Sequence, residues 1–369
     1  MKICIDLTSL DDNFSGIERF ACSLALELVK KQDTNYVLVF KNKVHVFFED
    51  VIKKNNVDYE IVKGHNKLFF NQIKLPIALK RIKADYYLFM AFPVPIFFSK
   101  KKAIATVHDM CCWDCPRTMK FFSSIYFKVS QRIAMKKALR IITISKFTKN
   151  RIIEKFQINP ERIWLVYCGV DLDKFALKNK GDNIFEKYHL PNSYFLSLST
   201  IEPRKNLGLL INAYQLLNET YDDIPHLVLA GRKGWKVEDL LLGLDSKTKE
   251  KICFTGFVED SDLPWIYNSS IGFIFPSLYE GFGIPPLEAL ACNSVVLSSD
   301  ATAMPEVLSD SVMYFESGNI DDLKEKMRLL YNLSADEKAK YLEKGKVIVS
   351  KFDWSNEAEK LFNQLVSLK

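Results

Sequence analysis

Chemistry-bearing side chains concentrate in two short stretches of this sequence, Glu280-Gly281-Phe282-Gly283-Ile284-Pro285-Pro286-Leu287-Glu288 and Glu202-Pro203-Arg204-Lys205-Asn206. In the first, two glycines let the backbone come close to a ligand, and paired prolines pre-set a first helical turn. Free N–H groups there would form a cradle for an anion such as phosphate. The carboxylates of Glu280 and Glu288 flank that cradle and can accept hydrogen bonds from sugar or ribose hydroxyls. An ordinary alternative for Glu288 is a first-turn residue that complements the helix dipole or caps the helix. In the second stretch, Arg204 and Lys205 can hold a diphosphate and stabilise the charge that grows on a leaving phosphate. The alternative there is a solvated basic turn.

A third group begins at His108-Asp109, directly after the apolar run Ala103–Val107. His108 is suited to line a polar ligand, or to sit buried and hydrogen-bonded at a strand end. Asp109 could orient His108 or an acceptor hydroxyl, or serve as a turn or cap residue. Cys112 and Cys115 nearby form a CxxC pair, with no second pair and no His pair to complete four ligands. Packing thiols are the expectation for Cys111, Cys112 and Cys115, and the eight scattered cysteines suit reduced core thiols rather than a disulfide framework. No G-x-G-x-x-G follows the first strand, and no DxD-type acidic pair follows a strand to hold a metal diphosphate. No metal and no cofactor is therefore expected.

The elements that must position these residues read as short β-rich runs alternating with amphipathic helical patterns. In the front half the runs are Ile3–Leu7, Tyr36–Phe40, Tyr86–Met90, Ala103–Val107, Ile141–Ile144 and Ile163–Tyr167. The rhythm restarts with Tyr194–Ser199, His226–Ala230, Ile252–Thr255, Gly272–Phe275 and Ser294–Ser298. That alternation predicts parallel sheets, and 369 residues favour two domains over one. We expect an α/β protein with two doubly wound, Rossmann-like domains: 1–173, a polar Lys-rich linker at 174–192 containing Gly181 and Pro191, 193–350, and a final helix at 351–369 packing back toward the first domain. Ligands of such sheets bind at the carboxyl ends of the strands, which is where the Glu202–Asn206 and Glu280–Glu288 stretches fall.

Glu280 to Glu288 matches the E-x7-E signature, and Glu202–Asn206 the basic loop, of family-4 retaining glycosyltransferases of the GT-B fold, which this sequence resembles over nearly its whole length. Further matches, in order, are Phe14-Ser15-Gly16-Ile17-Glu18-Arg19, Val107-His108-Asp109, Thr143–Lys146, Tyr167–Asp171, Ala230-Gly231-Arg232 and Thr255–Val258. The resemblance implies two domains facing across a cleft, which closes to bring together a nucleotide-diphosphate sugar and an acceptor. It implies that Gly16 offers its backbone to the donor diphosphate, that His108 lines the transferred sugar, and that Arg204 and Lys205 clamp the diphosphate. Glu280, Phe282, Gly283 and Ile284 would hold sugar and phosphate, Glu288 the ribose, and Phe257 and Val258 would approach the base. Arg232 would be a further phosphate contact, with Asp109 and Arg19 on the acceptor side. The implied chemistry is retaining transfer by same-face attack, in which the leaving phosphate oxygen helps take the acceptor proton. Mannose from a guanosine donor is the first expectation, with a saccharide or lipid-linked acceptor in cell-surface polysaccharide synthesis. A sugar-nucleotide epimerase of the same fold and an inactive nucleotide-sugar-binding scaffold are the alternatives. Two departures stand out: Ser15-Gly16 where many members have paired glycines, and Ser199 where many have an arginine, which shifts weight to Arg204.

The formal charge of +6 conceals an asymmetry. Residues 1–176 carry 30 Lys and Arg against 17 Asp and Glu, whereas 177–369 carry 21 against 28. A basic front half suits an anionic partner. Between Met119 and Arg140 a helical pattern sets Lys128, Arg132, Lys136 and Arg140 four residues apart, beside Phe122, Ile125, Val129 and Ile133. Lys100-Lys101-Lys102 and the stretch from Phe69-Phe70 to Lys80-Arg81 add to it. Anionic membrane surface is the expected partner and nucleic acid is not, for want of a binding module; a solvated charged face over a core helix is the alternative. The most apolar window, 86–98, is broken by Pro93 and Pro95 and is shorter than the roughly 20 apolar residues of a spanning helix. With no secretory signal at the start, a cytoplasmic protein, peripheral on the inner face of a membrane, is expected.

Overall fold

A computed structural model of the chain describes residues 1–10, 15–31, 34–55, 57–91, 93–98, 102–176, 184–232 and 238–368. Phe14, Lys100, Lys101 and the middle of the expected linker, 177–183 with Gly181, lie outside the described residues. The chain divides into two compact units, one made of Met1–Gly169 with Asp353–Lys369 and the other of Val170–Phe352.

Among the described residues, the first unit is built on seven parallel strands: β1 (Lys2–Asp6), β2 (Asn35–Lys41), β3 (Asp58–Val62), β4 (Tyr86–Phe89), β5 (Ala103–Val107), β6 (Arg140–Thr143) and β7 (Ile163–Leu165), in the order β3-β2-β1-β4-β5-β6-β7. The described residues of the second form six: β8 (Tyr194–Leu198), β9 (His226–Ala230), β10 (Ile252–Gly256), β11 (Gly272–Phe275), β12 (Val296–Ser299) and β13 (Met313–Phe315), in the order β10-β9-β8-β11-β12-β13. Every strand pairing among the described residues is parallel. Central strands such as β4, β5 and β11 are largely apolar and buried along their length, because helices cover both faces of a parallel sheet. In each unit the order reverses once, between β1 and β4 and between β8 and β11, and this reversal opens a crevice at the strands' carboxyl ends.

Two strands escape the sequence pattern. β3 is an edge strand whose first four residues are exposed, so it carries no apolar run, and β13 has only three residues. The helix expected up to Arg140 ends at Lys137, after which Ala138 turns extended and Arg140 opens β6. The expected linker 174–192 is part of the second unit wherever it is described. Lys187 pairs with Glu259 at 2.9 Å and Asp262 at 2.7 Å, Tyr188 donates to Asp262 at 2.7 Å, and Lys174 pairs with Asp260.

The last helix, Trp354–Val366, packs on the helix Gly16–Leu28 of the first unit. Trp354 meets Phe20 edge-on at 5.9 Å, Lys31 pairs with Glu359, and the buried Glu357 accepts from the Tyr167 N–H at 3.0 Å.

Candidate active site

In the second unit β8 and β11 are hydrogen-bonded neighbours, so the loops leaving their carboxyl ends meet at the reversal point. The β8 loop forms a single helical turn, Pro203–Lys205, and the β11 loop runs to the helix Ile284–Ala291. The Leu278 N–H donates to the Arg204 carbonyl at 3.0 Å, tying the loops together. Lys205 Nζ donates to Glu280 Oε1 at 2.6 Å, and Arg204 Nη1 to Glu280 Oε2 at 3.2 Å and to the Tyr279 carbonyl at 3.1 Å. The sequence places Arg204 and Lys205 some 75 residues before Glu280; the topology makes them one cluster.

Glu280 is buried. Burial pushes its carboxyl up, but Lys205 and Arg204 beside it more than offset this, so it stays ionised below the ordinary carboxylate range. Its backbone is also held: the Glu280 N–H donates to Thr302 Oγ1 at 3.0 Å, and the Thr302 hydroxyl donates back to the Glu280 carbonyl at 2.9 Å. Lys205 Nζ additionally lies 5.5 Å from the centre of the Phe275 ring, a cation–π contact.

Gly283 caps the helix Ile284–Ala291 with φ +94°, a left-handed conformation that suits glycine, and a Cβ there would lie 2.4 Å from Met304 Cε. The prolines at the second and third helical positions carry no N–H, so the first turn offers fewer donors than the sequence reading supposed. An anion bound at this turn would therefore depend more heavily on Arg204 and Lys205. Glu288 is the fifth residue of the helix rather than part of its first turn, so the dipole or capping role does not apply. It is 3% exposed and accepts from the Tyr267 hydroxyl at 3.2 Å. Phe282 is buried edge-on to Phe352, with ring centres 5.3 Å apart.

The carboxyl ends of β9 and β10 carry a second feature. The Gly231 N–H donates to the Gly256 carbonyl at 2.8 Å, and the Arg232 guanidinium stacks over the Phe257 ring at 4.8 Å. Phe257 is half-exposed and Val258 buried. Gly231 has φ +133°, and a Cβ there would fall 2.0 Å from the Ser199 carbonyl oxygen, so only glycine lets these loops approach.

In the first unit, His108 follows β5 and is buried, with Phe20 edge-on at 5.1 Å. His108 Nε2 lies 2.7 Å from the Met90 carbonyl, at the end of β4. A carbonyl only accepts, so Nε2 carries the hydrogen and Nδ1 keeps its lone pair as an acceptor. Burial pushes the imidazole down from its ordinary value against the opposing pull of Met90, Asp109 and Glu18, which keeps it neutral at neutral pH. Gly16 is exposed and opens the helix Gly16–Leu28, where the Ser15 N–H donates to Glu18 Oε2 at 2.9 Å. Arg19 is half-buried in the same turn. The Asp109 carboxylate accepts from the Cys111 N–H at 3.0 Å, which is the turn role. The Cys112 thiol points at Gln131 Oε1, 3.2 Å away, and burial pushes it up to about 12, an unreactive packing thiol.

Residues 14–174 match the family model described as Glycosyltransferase Family 4, and residues 181–347 the one described as Glycosyl transferases group 1. The chain belongs to these glycosyltransferases. This glycosyltransferase is similar to the O-antigen chain mannosyltransferase B of Escherichia coli, at 27% identity over 96% of this chain and 97% of that one. It is similar also to the serotype-specific mannosyltransferase WbdA of Escherichia coli, at 33% identity over 81% of this chain but only 39% of that longer protein. Among solved structures it resembles Anabaena Alr3699/HepE in complex with UDP-glucose, with TM-score 0.76 and 15% identity over the whole of both chains, a likeness of fold. Both units thus carry the GT-B arrangement of parallel sheets.

Thr302 and Tyr267 escaped the sequence reading, although Thr302 holds the backbone of Glu280 and Tyr267 donates to the carboxylate of Glu288, the two signature acidic residues of this glycosyltransferase. Neither stands in a short motif. Tyr267 precedes Glu288 by 21 residues and Thr302 follows Glu280 by 22, so only the fold brings them in.

Proposed function

We propose that this glycosyltransferase transfers mannose from GDP-mannose to a growing surface polysaccharide, with retention of the anomeric configuration. The observation that carries the donor half is the Arg204–Lys205–Glu280 cluster at the β8–β11 reversal. Two cations and one carboxylate leave a net positive charge where a diphosphate would lie. A fixed guanidinium and ammonium stabilise the charge that grows on the leaving phosphate as its bond to the sugar breaks, without reorganisation at that moment. Glu280, already ionised, can accept hydrogen bonds from the sugar hydroxyls, and Glu288 with Tyr267 from the ribose. The Arg232–Phe257 stack offers a flat, charged platform suited to a nucleobase. On the first unit, we assign the Nδ1 lone pair of His108 to a donor-sugar hydroxyl and the backbone of Gly16 to the diphosphate. No protein carboxylate acts as nucleophile; the leaving phosphate oxygen helps take the proton of the acceptor hydroxyl. The residues use no metal in this scheme.

Mannose and the polysaccharide acceptor are supported by the relatives, an O-antigen chain mannosyltransferase among them that is matched over nearly its whole length. The test is incubation of the protein with GDP-mannose and, separately, UDP-glucose, each with a mannose-terminated lipid-linked saccharide, followed by NMR of the product. Mannosyl transfer with an α-linkage is expected, with no isomer formed from donor alone. Transfer from UDP-glucose alone, or a product of inverted configuration, would overturn the reading.

A further inference from the structure

The helical stretch Lys67–Arg81, wound as a π-helix at Phe70–Lys74, turns Phe70, Leu75, Ala78 and Leu79 into the core of the first unit. Its other side presents Leu68, Phe69, Ile73 and Ile77 to solvent, the last three at four-residue intervals. The helix Phe121–Lys137 behaves the same way. It buries small or polar residues, Ser124, Ser130 and Ala134, together with Met135. Its large apolar side chains are outside, with Phe121 71% and Phe122 84% exposed and Ile125 and Val129 half-exposed. A helix that serves only the fold would bury its phenylalanines and expose its serines. This inversion removes the ordinary reading of Phe122, Ile125 and Val129 as the core side of a charged helix.

The two stripes belong to one surface. Gln72 of the first stretch lies 3.4 Å from the Tyr126 hydroxyl of the second, and the same Gln72 accepts from the Ile96 N–H at 2.8 Å. Lys137 in turn donates to the Ile96 carbonyl at 2.6 Å, closing a strut between the helices.

Charge decides the occupant. Residues 63–84 contain Lys63, Lys67, Lys74, Lys80, Arg81 and Lys83 and no Asp or Glu. Residues 115–139 contain Arg117, Lys120, Lys128, Arg132, Lys136 and Lys137 and again no Asp or Glu. Lys120, Arg132, Lys136 and Lys137 are exposed beside the apolar stripe. Exposed apolar side chains flanked by cations with no acidic residue among them complement a surface that is negative outside and hydrocarbon beneath. We propose that these two helices form a docking face for an anionic lipid surface, with Phe121 and Phe122 inserting and the surrounding lysines and arginines meeting the headgroups. This face is independent of the donor cluster, so either assignment can fail alone.

The test is co-sedimentation of the full chain with vesicles of phosphatidylcholine alone and of phosphatidylcholine mixed with phosphatidylglycerol. Binding to the mixed vesicles only, weakened by salt, is expected. A Phe121→Ser, Phe122→Ser variant should lose it while keeping its thermal midpoint and its GDP-mannose affinity, since both side chains are exposed. An Arg132→Gln, Lys136→Gln variant should bind on the order of 30-fold more weakly, from about 1 kcal/mol for each basic residue near the surface. Absence of binding to the mixed vesicles, equal binding to both, or binding that survives the phenylalanine substitutions would overturn the proposal. So would self-association in solution that those substitutions abolish, which would make the face a contact between copies of this chain.

Discussion

At the scale of single residues, the Arg204–Lys205–Glu280 cluster turns on Glu280. Its carboxyl is held below its ordinary range in the folded protein, so the folded state takes up its proton less readily than the unfolded chain. The stability this contributes is complete above about pH 4.3, the unfolded value, and is lost as pH falls through the lower folded value. A Glu280→Gln variant should therefore show a flatter acid limb in thermal melts as the pH falls below about 4.3. At neutral pH it should be less stable by about 3 kcal/mol, because Lys205 then stays buried without its counter-charge. His108 offers an independent check. Its imidazole resonance should titrate below about 6.5, the unperturbed value, and a midpoint above it would contradict a buried neutral ring donating to Met90. The residue types of both sites were legible in the sequence, as Glu280, Arg204, Lys205 and His108 stand in recognisable local patterns. Their partners were not: Thr302, Tyr267 and Met90 are supplied by other loops and strands, and no short spacing encodes them.

At the scale of elements, most strands announced themselves because buried parallel strands are continuous apolar runs. β3 did not, as an edge strand in which acidic Asp58 and Glu60 alternate with Tyr59 and Ile61 and all four are exposed, nor did the three-residue β13. The helix Phe121–Lys137 was legible as a helix, but the direction it faces was not. Phe122, Ile125, Val129 and Ile133 could equally have lined a core stripe, whereas the side that the helix buries carries Ser124, Ser130 and Ala134 with Met135. The turn at Gly283 is the element on which the site depends most. A Gly283→Ala substitution forces a left-handed backbone on a residue with a Cβ and drives that Cβ into Met304, next to Thr302 and Ala303. We expect a loss of about 1–2 kcal/mol in urea unfolding from the backbone alone, together with weaker donor binding as Glu280 shifts. Unchanged melting and affinity would show that the loop accommodates alanine and that its conformation is not what positions Glu280.

At the scale of the whole molecule, the chain leaves the first unit after Gly169 and rejoins it at Asp353. The final helix supplies part of that unit's core: Trp354, Leu361 and Leu365 are buried, and Glu357 satisfies the Tyr167 N–H. A chain truncated before Asp353 should lose the thermal transition of the first unit and keep that of residues 170–352. Retention of both transitions would show that the helix is dispensable. The charge asymmetry of the sequence also belongs at this scale, since the basic front half coincides with the unit that bears the exposed apolar helices.

The most direct test of the donor assignment is calorimetric titration of GDP-mannose, GDP and UDP into the intact protein and into an Arg204→Ala, Lys205→Ala variant. The account predicts selective binding of the guanosine ligands, weakened about a hundredfold or more in the variant as two charge-assisted contacts to the diphosphate disappear. Binding of equal strength in the variant, or none of these ligands binding the intact protein, would contradict it.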